Sequence, residues 1–482
     1  MLQELQTAAP LVAAVSATPA LLDATAEGGG LGELLEFWDA RLTAMSSSIQ
    51  ALEPVLALHI GVRYELLARL QSARESREPL IGAAAVADTR RLESLHQGLG
   101  RSWLRLAKSA RAVGNAESEA NALMQARLHD PTSATLALAK MDWAAGRSHD
   151  AMSRLRQQRA KIEAATSDRP SADAKEALGR TVLALARYAS EAGEAEAKEV
   201  HAMHQMVTEL CPTTEKGYFW LGKFHDQQLR LALDAAGRRE VEVPATTPGA
   251  MSCPSKRVVP VKERERKKFD AHATHLAPLI QSYGAALQRS TKHAHSALPR
   301  VLTLWLDYAD KLAQVEAGEL GQAPGADKAP RLRQPQDAIN KLMTSLPPRI
   351  WLPCVPQLVS RTCHRDEQTK KLLHTLLAQL LAEYPQQLVW AVVPVALSPN
   401  SERRKPGEQI VAQAKQHLLR KPGLEVLRAA AAIINQLRRV CNDEAIDKGC
   451  KRVSMRTRFP QVSHRCHLQT TPPFPIATTP NF

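Results

Sequence analysis

Three strings in this chain have residue types and spacings that chemistry uses. In GYFWLGKF (217–224), Gly217, Gly222 and Lys223 sit at the intervals of a phosphate-binding loop. That loop follows a strand and ends in a Ser or Thr that binds magnesium. Here Phe224 takes the last place, and Tyr218, Phe219, Trp220 and Leu221 make an apolar face. Helix packing is therefore expected. His364-Arg365-Asp366 has the order of a protein-kinase catalytic loop, but the Asn needed five residues after the Asp is Lys371, and no Asp-Phe-Gly follows. A helix connection is expected there. Cys363-His364 and His464, Cys466 and His467 are metal-ligating types, yet zinc sites use two separated pairs of closely spaced ligands. Cys441 and Cys450, separated by eight residues, complete no such set. No Ser-His-Asp or paired-carboxylate arrangement emerges from spacing, so no catalytic, cofactor-binding or metal residues are expected within the chain.

A fourth string is purely electrostatic. Residues 256–268, KRVVPVKERERKK, hold seven basic and two acidic side chains, in a chain of 63 Lys plus Arg against 49 Asp plus Glu. The formal charge of +14 allows nucleic acid or an acidic partner. Lys262, Arg264, Arg266, Lys267 and Lys268 are the candidate patch for nucleic-acid contact or nuclear import. The competing expectation is a solvated loop. With aromatics at 4%, few rings are on offer for base stacking.

The elements around these strings are helical. Ala and Leu dominate a chain that is 44% hydrophobic, and both residues lose little rotamer freedom in a helix. Within 49–70, Ile49, Leu52, Leu56, Ile60, Leu66, Leu67 and Leu70 recur at mostly three- and four-residue steps, an amphipathic stripe. Helix-length segments follow at 102–115, 117–126, 135–147 and 149–158, broken by Gly114-Asn115, Asp130-Pro131 and Gly146, which are turn and cap residues. Short helix pairs with small residues at contacts are the mark of tetratricopeptide-like stacking, in which no unit buries its own apolar face. An all-α solenoid of tetratricopeptide-like and HEAT-like repeats is expected, with helices resuming at 279–317, 335–346, 355–397 and 408–441. The organisation reads as an Ala/Gly-rich segment 1–30, a first repeat block 31–236 and a basic Pro/Gly loop 237–268. A second block 269–317, a Pro/Gly-rich linker 318–335, a C-terminal helical block 336–459 and an irregular basic tail 460–482 complete it.

Seven cysteines in 482 residues form no disulfide framework, which fits reduced thiols in cytosol or nucleus. No apolar run approaches the roughly 18–20 residues of a membrane helix, and the N-terminus lacks the basic region of a secretory signal.

Longer strings carry a resemblance. EPVLAL (53–58), SWLRLAKSARAVGN with NALMQA, EKGYFWLGKFHDQQL (215–229), SALPR with LTLWLDYAD (302–310), PQLVSRTCHRDE (356–367), YPQQLVW (384–390) and SMRTRF (454–459) resemble, in order, the FAT region of ATR-type phosphatidylinositol-3-kinase-related serine/threonine protein kinases. The resemblance runs from about Leu35 to Phe459, and the family's catalytic lobes, its C-terminal FATC segment and its long N-terminal HEAT array are not in it. It implies a regulatory scaffold that supports a kinase domain of the parent chain, a nuclear enzyme of the DNA-damage and replication-stress checkpoint. ATP and Mg or Mn are implied only for that full-length parent. Implied partners are the parent's kinase domain, an adaptor of the ATR-interacting type, a second copy in a homodimer, and DNA indirectly; no membrane is implied. Trp103, Trp220, Trp305, Tyr308, Tyr384 and Trp390 are the expected packing residues. A generic tetratricopeptide adaptor and a basic nucleic-acid-associated scaffold are the alternative readings.

Overall fold

The computed structural model describes residues 37–42, 49–75, 83–165, 171–238, 240–243, 255–258, 260–318, 329–418 and 423–441. These divide into two compact units, one up to Pro212 and one from Thr213. The division falls inside what the sequence suggested was a single first block.

In the first unit a helical turn at 37–42 precedes α1 (Ile49–Glu75), α2 (Ala83–Val113), α3 (Ala116–His129), α4 (Pro131–Ala144), α5 (Ser148–Ala165), α6 (Ala172–Ala192) and α7 (Ala197–Leu210). Each helix packs on the next, and α5's neighbours α4 and α6 also touch, the nearest-neighbour pattern of a repeat stack. Local chemistry places the breaks. Gly114, Gly146 and Gly193 have φ of 80°, 78° and 69°, the left-handed conformation that stops a helix without a Cβ clash. Asn115 then caps α3 by accepting from Ser118 N–H, and Asp130 both ends α3 and caps α4 through Ser133 N–H, with Pro131 at the first helical position.

The second unit contains α8 (Glu215–Gly237), a hairpin of β1 (Glu240–Val243) and β2 (Ser255–Val258), then α9 (Val261–Arg289), α10 (Ala294–Glu316) and α11 (Ala329–Ser345). A 3₁₀ segment at Pro348–Cys354 leads to α12 (Val355–Ser360), α13 (Glu367–Glu383), α14 (Pro385–Ala396), α15 (Ser401–Leu418) and α16 (Gly423–Cys441). The strands pair antiparallel, Glu240 opposite Val258 and Glu242 opposite Lys256. This small hairpin is an insertion in a helical fold, where the sequence predicts only a loop.

Two further boundaries are corrected. The basic run Lys262–Lys268 lies in the first turns of α9, because Glu263 and Glu265 interleave with the cations and make helical i,i+3 and i,i+4 pairs. The helix α11 begins at Ala329, inside the Pro/Gly-rich linker, and runs through Pro335. The tail from 442 onward, with His464, Cys466, His467 and Cys450, lies outside the described residues.

Candidate functional site

The centre of the second unit is a three-helix polar chain set in an apolar core. Trp305 of α10 is fully buried, and its indole N–H donates to Gln336 Oε1 of α11 at 2.7 Å. Gln336 Nε2 donates in turn to Thr369 Oγ1 of α13 at 3.2 Å. A buried indole donor needs a partner, so this chain fixes how three helices meet. Tyr308, one turn on, is also fully buried and stacks on Phe269 of α9 with ring centroids 5.3 Å apart. Burial pushes its phenol well above the usual tyrosine range. One continuous apolar cluster surrounds these rings, from Phe219 to Ile434.

The kinase-like triplet is part of the same scaffold. Asp366 is the N-cap of α13, accepting from Thr369 N–H at 2.7 Å. Its own N–H donates to His364 Nδ1 at 3.0 Å, which leaves the ring proton on Nε2. That Nε2 lies 3.1 Å from Asp310 Oδ1 and 3.3 Å from the Leu306 carbonyl, both on α10. Arg365 and Lys371 are exposed. The triplet therefore ties a helix cap to α10, and Asp366 is occupied by backbone.

The phosphate-loop-like string has an equally structural cause. It lies wholly within α8. A Cβ at Gly222 would stand 2.6 Å from the Tyr283 ring of α9, so glycine is needed for close helix packing rather than for a phosphate. Lys223 Nζ sits over the Trp220 ring at 4.8 Å, and Phe219 stacks on His293 at 3.8 Å. On the same helix, Asp226 is buried and takes the Arg300 fork at 2.8 Å on Oδ1 and 3.2 Å on Oδ2, together with Arg230 at 3.0 Å. That bidentate pair anchors α8 to α10.

The remaining expected packing residues separate. Trp103 is half-buried and bridges two apolar clusters of the first unit, one around Leu99 and one around Leu123. Trp220 and Tyr384 are half-buried against the main core of the second unit. Trp390 is not a core residue: it is 53% exposed, because α14 turns Leu388, Val389, Val392 and Val393 inward. Two tryptophans that the sequence did not single out, Trp38 and Trp351, are fully buried. Neither lies in a string with a visible periodic signal, so no sequence feature would have ranked them above Trp390.

In the basic patch, Lys267 pairs with Glu263 at 3.1 Å, Lys268 with Glu265 at 2.8 Å and Arg266 with Asp270 at 3.8 Å; Lys311 of α10 adds a contact to Glu265 at 3.9 Å. Hydrogen bonding to Lys268 holds the Glu265 carboxyl below its usual range. Much of the charge available for phosphate contact is thus already neutralised within the helix. Lys262 is exposed and Arg264 half-exposed. Among the described residues no cluster of three or more His, Cys, Asp or Glu forms a metal site, and no helix is long and apolar enough to cross a membrane. An open groove of ≈ 730 Å³ between α11 and α13 is lined by Met343, Leu346, Leu372 and Leu376, with Glu383 and His417 among its polar groups.

Comparison with known proteins agrees with a helical-repeat fold. Residues 335–434 match the family described as serine/threonine-protein kinase ATR-like, HEAT repeats. The serine/threonine-protein kinase ATR of Arabidopsis thaliana is 27% identical over 376 residues, 72% of this chain and 13% of that protein. The ATR of Oryza sativa subsp. indica is 25% identical over 70% of this chain and 13% of its own length. Protein kinase rad3 of Schizosaccharomyces pombe is 22% identical over 74% of this chain and 14% of its own. The chain thus spans about one-eighth of the length of these relatives. Among solved structures, the open conformation of CtTel1 shares the fold with a TM-score of 0.53 at 12% identity, over 82% of this chain and 15% of that one. The complete CtTel1 dimer with C2 symmetry gives 0.51 over 81% and 15%. Residues 1–303, well over half the chain, match the FAT domain, and the chain belongs to the FAT-domain family.

Proposed function

We propose that this chain is the regulatory scaffold of an ATR-like serine/threonine protein kinase acting in the DNA-damage and replication-stress checkpoint. Its helices hold and position the kinase domain of the parent protein, and phosphotransfer with ATP and Mg or Mn belongs to that domain. The parent works in the nucleus as a homodimer, with an adaptor of the ATR-interacting type and DNA reached indirectly. The observation that carries this reading is the order of the two family matches, FAT domain then ATR-like HEAT repeats, along one chain whose relatives bear the kinase name. The kinase-loop-like and phosphate-loop-like strings support it, since the first is taken up by a helix cap and the second by a helix contact.

Sequencing the gene's transcript past the codon for Phe482 is the first test. A continuing frame with kinase motifs is expected, and the kinase region made with and without residues 31–459 should differ in soluble yield and phosphotransfer. ATP-dependent phosphotransfer by the 482-residue chain alone, abolished by Asp366→Ala, would overturn the reading.

A further inference from the structure

Arginines in this chain tend to meet shared carboxylates. Asp142 takes Arg147 at 2.7 Å and Arg154 at 3.1 Å, and Asp226 takes Arg230 and Arg300; both carboxylates are buried, at 6% and 8% exposure. In these places the acid is sealed and the pairs are complete. Asp39, in the helical turn at 37–42, differs on every count. It is 24% exposed, and three arginines converge on it. Arg63 of α1 reaches Oδ1 at 3.2 Å and Arg101 of α2 reaches Oδ2 at 3.2 Å. Arg105 finds only the Asp39 main-chain carbonyl, at 3.4 and 3.5 Å. Among the described residues Arg105 meets no carboxylate, so three cations share one anion.

The cluster is built rather than incidental. Arg63 is 1% exposed, bonded to Ser102 Oγ at 3.1 Å, and admitted by Gly98, where a Cβ would stand 2.8 Å from its Nε. Arg101 and Arg105 are four apart on α2 and so share one helix face, with Arg101 54% exposed to solvent. The neighbouring His59 feels the same field: burial first, then Arg63, Arg105 and Arg41, hold its pKa down to about 3. Paired guanidinium forks with a fixed cation behind them match the oxygens of a phosphate dianion, which accepts two parallel N–H bonds from each fork.

We propose that Arg101 and Arg105, backed by Arg63 and Asp39, form a binding site for a phosphate group. It is carried either by a small phosphate compound or by a phosphorylated serine or threonine side chain. The site is independent of the scaffold reading and stands or falls apart from it. The test is calorimetric titration of the full 482-residue chain at fixed ionic strength with inorganic phosphate and with O-phosphoserine. Saturable 1:1 binding is expected, weakened about tenfold or more in Arg101→Gln/Arg105→Gln, because charge-assisted fork bonds are the strong ones. Arg156→Gln, at an exposed arginine paired with Glu194, should bind as the unaltered chain does. If the double variant loses its helical circular dichroism, Arg105→Lys keeps the charge and removes the fork, and binding should still weaken. Tighter binding of O-phosphoserine supports the phosphorylated side chain as source, and the reverse order supports a small phosphate. Absence of saturable binding for both probes, or equal affinity in the folded variants, overturns the proposal.

Discussion

The two units bury their apolar surface in different ways. From Thr213 onward a single cluster joins α8 to α16 through large side chains, with Trp305, Tyr308, Phe269 and Trp351 near its middle. Up to Pro212 the described core is a series of small clusters, each shared by two or three successive helical segments, and those around Met152 and Leu123 bury alanine as well. Half-buried residues such as Trp103, Leu106 and Met203 each touch two of these clusters and connect them. The first unit also places charge within its core: Arg63 is enclosed, and Asp142 and Glu119 each bind arginine while nearly buried. A nearest-neighbour stack gains its stability interface by interface, whereas a continuous core gains it all at once. The first unit should therefore loosen in steps and the second unfold as a whole.

The largest expected effect tests the continuous core. Trp305→Ala should cost about 3–5 kcal/mol, the range for truncating a buried aromatic, and should remove the whole second unit's protection in hydrogen exchange. Loss confined to α10 and α11 would break the contrast between the units. Trp103→Ala, at a half-buried bridge, should cost less and deprotect only α1 to α4.

Next in size is the charged anchoring. Asp226→Ala leaves the Arg300 fork without its acceptor beside a buried surface, and should cost about 2–3 kcal/mol in urea unfolding. One buried histidine of the first unit, His59, gives a pH signature of similar magnitude. His59 is held down to about 3 from 6.5, so the unfolded chain takes its proton first as pH falls. Its contribution is complete above pH 6.5 and is lost progressively down to about pH 3. Between pH 6.5 and 5 the loss should be about 2 kcal/mol, flattened in His59→Leu. An equal slope in that variant would remove His59 from the account.

Close helix contact comes next. A Cβ at Gly407 would lie 2.4 Å from the Ala396 nitrogen, a backbone atom that cannot swing aside. Gly407→Ala should cost about 1–3 kcal/mol by overpacking α14 against α15. The smallest effect belongs to the basic run. Lys267→Ala removes an exposed i,i+4 pair and should shift stability by about 0.5 kcal/mol or less. A larger loss would mean that the N-terminal turns of α9 depend on charge more than on Phe269, its first buried apolar residue.

Much of the helical framework was legible because its signals are local. Gly114, Asn115, Asp130 and Gly146 act within one turn of themselves, and the stripe through 49–70 needs no partner to be visible. The failures share the opposite property. Trp390 and Trp351 are the same residue type in apolar surroundings, yet one is 53% exposed and the other 0%, because neighbouring helices cover one and not the other. The run at 262–268 read as a loop by its charge density, while the deciding fact was the register of Glu263, Glu265 and Asp270 against the cations.

The sequence by itself determined the all-α class, the main helix breaks, the absence of a working phosphate or kinase-loop pattern, and the family resemblance. Each of these depends on residue type and spacing along a few turns. Only the tertiary structure decided which rings are core, why Gly222 and Gly407 are glycine, and that Arg63, Arg101 and Arg105 meet at Asp39. Those outcomes depend on which helix faces which, and contacts between residues 11 to 74 positions apart leave no period in the chain.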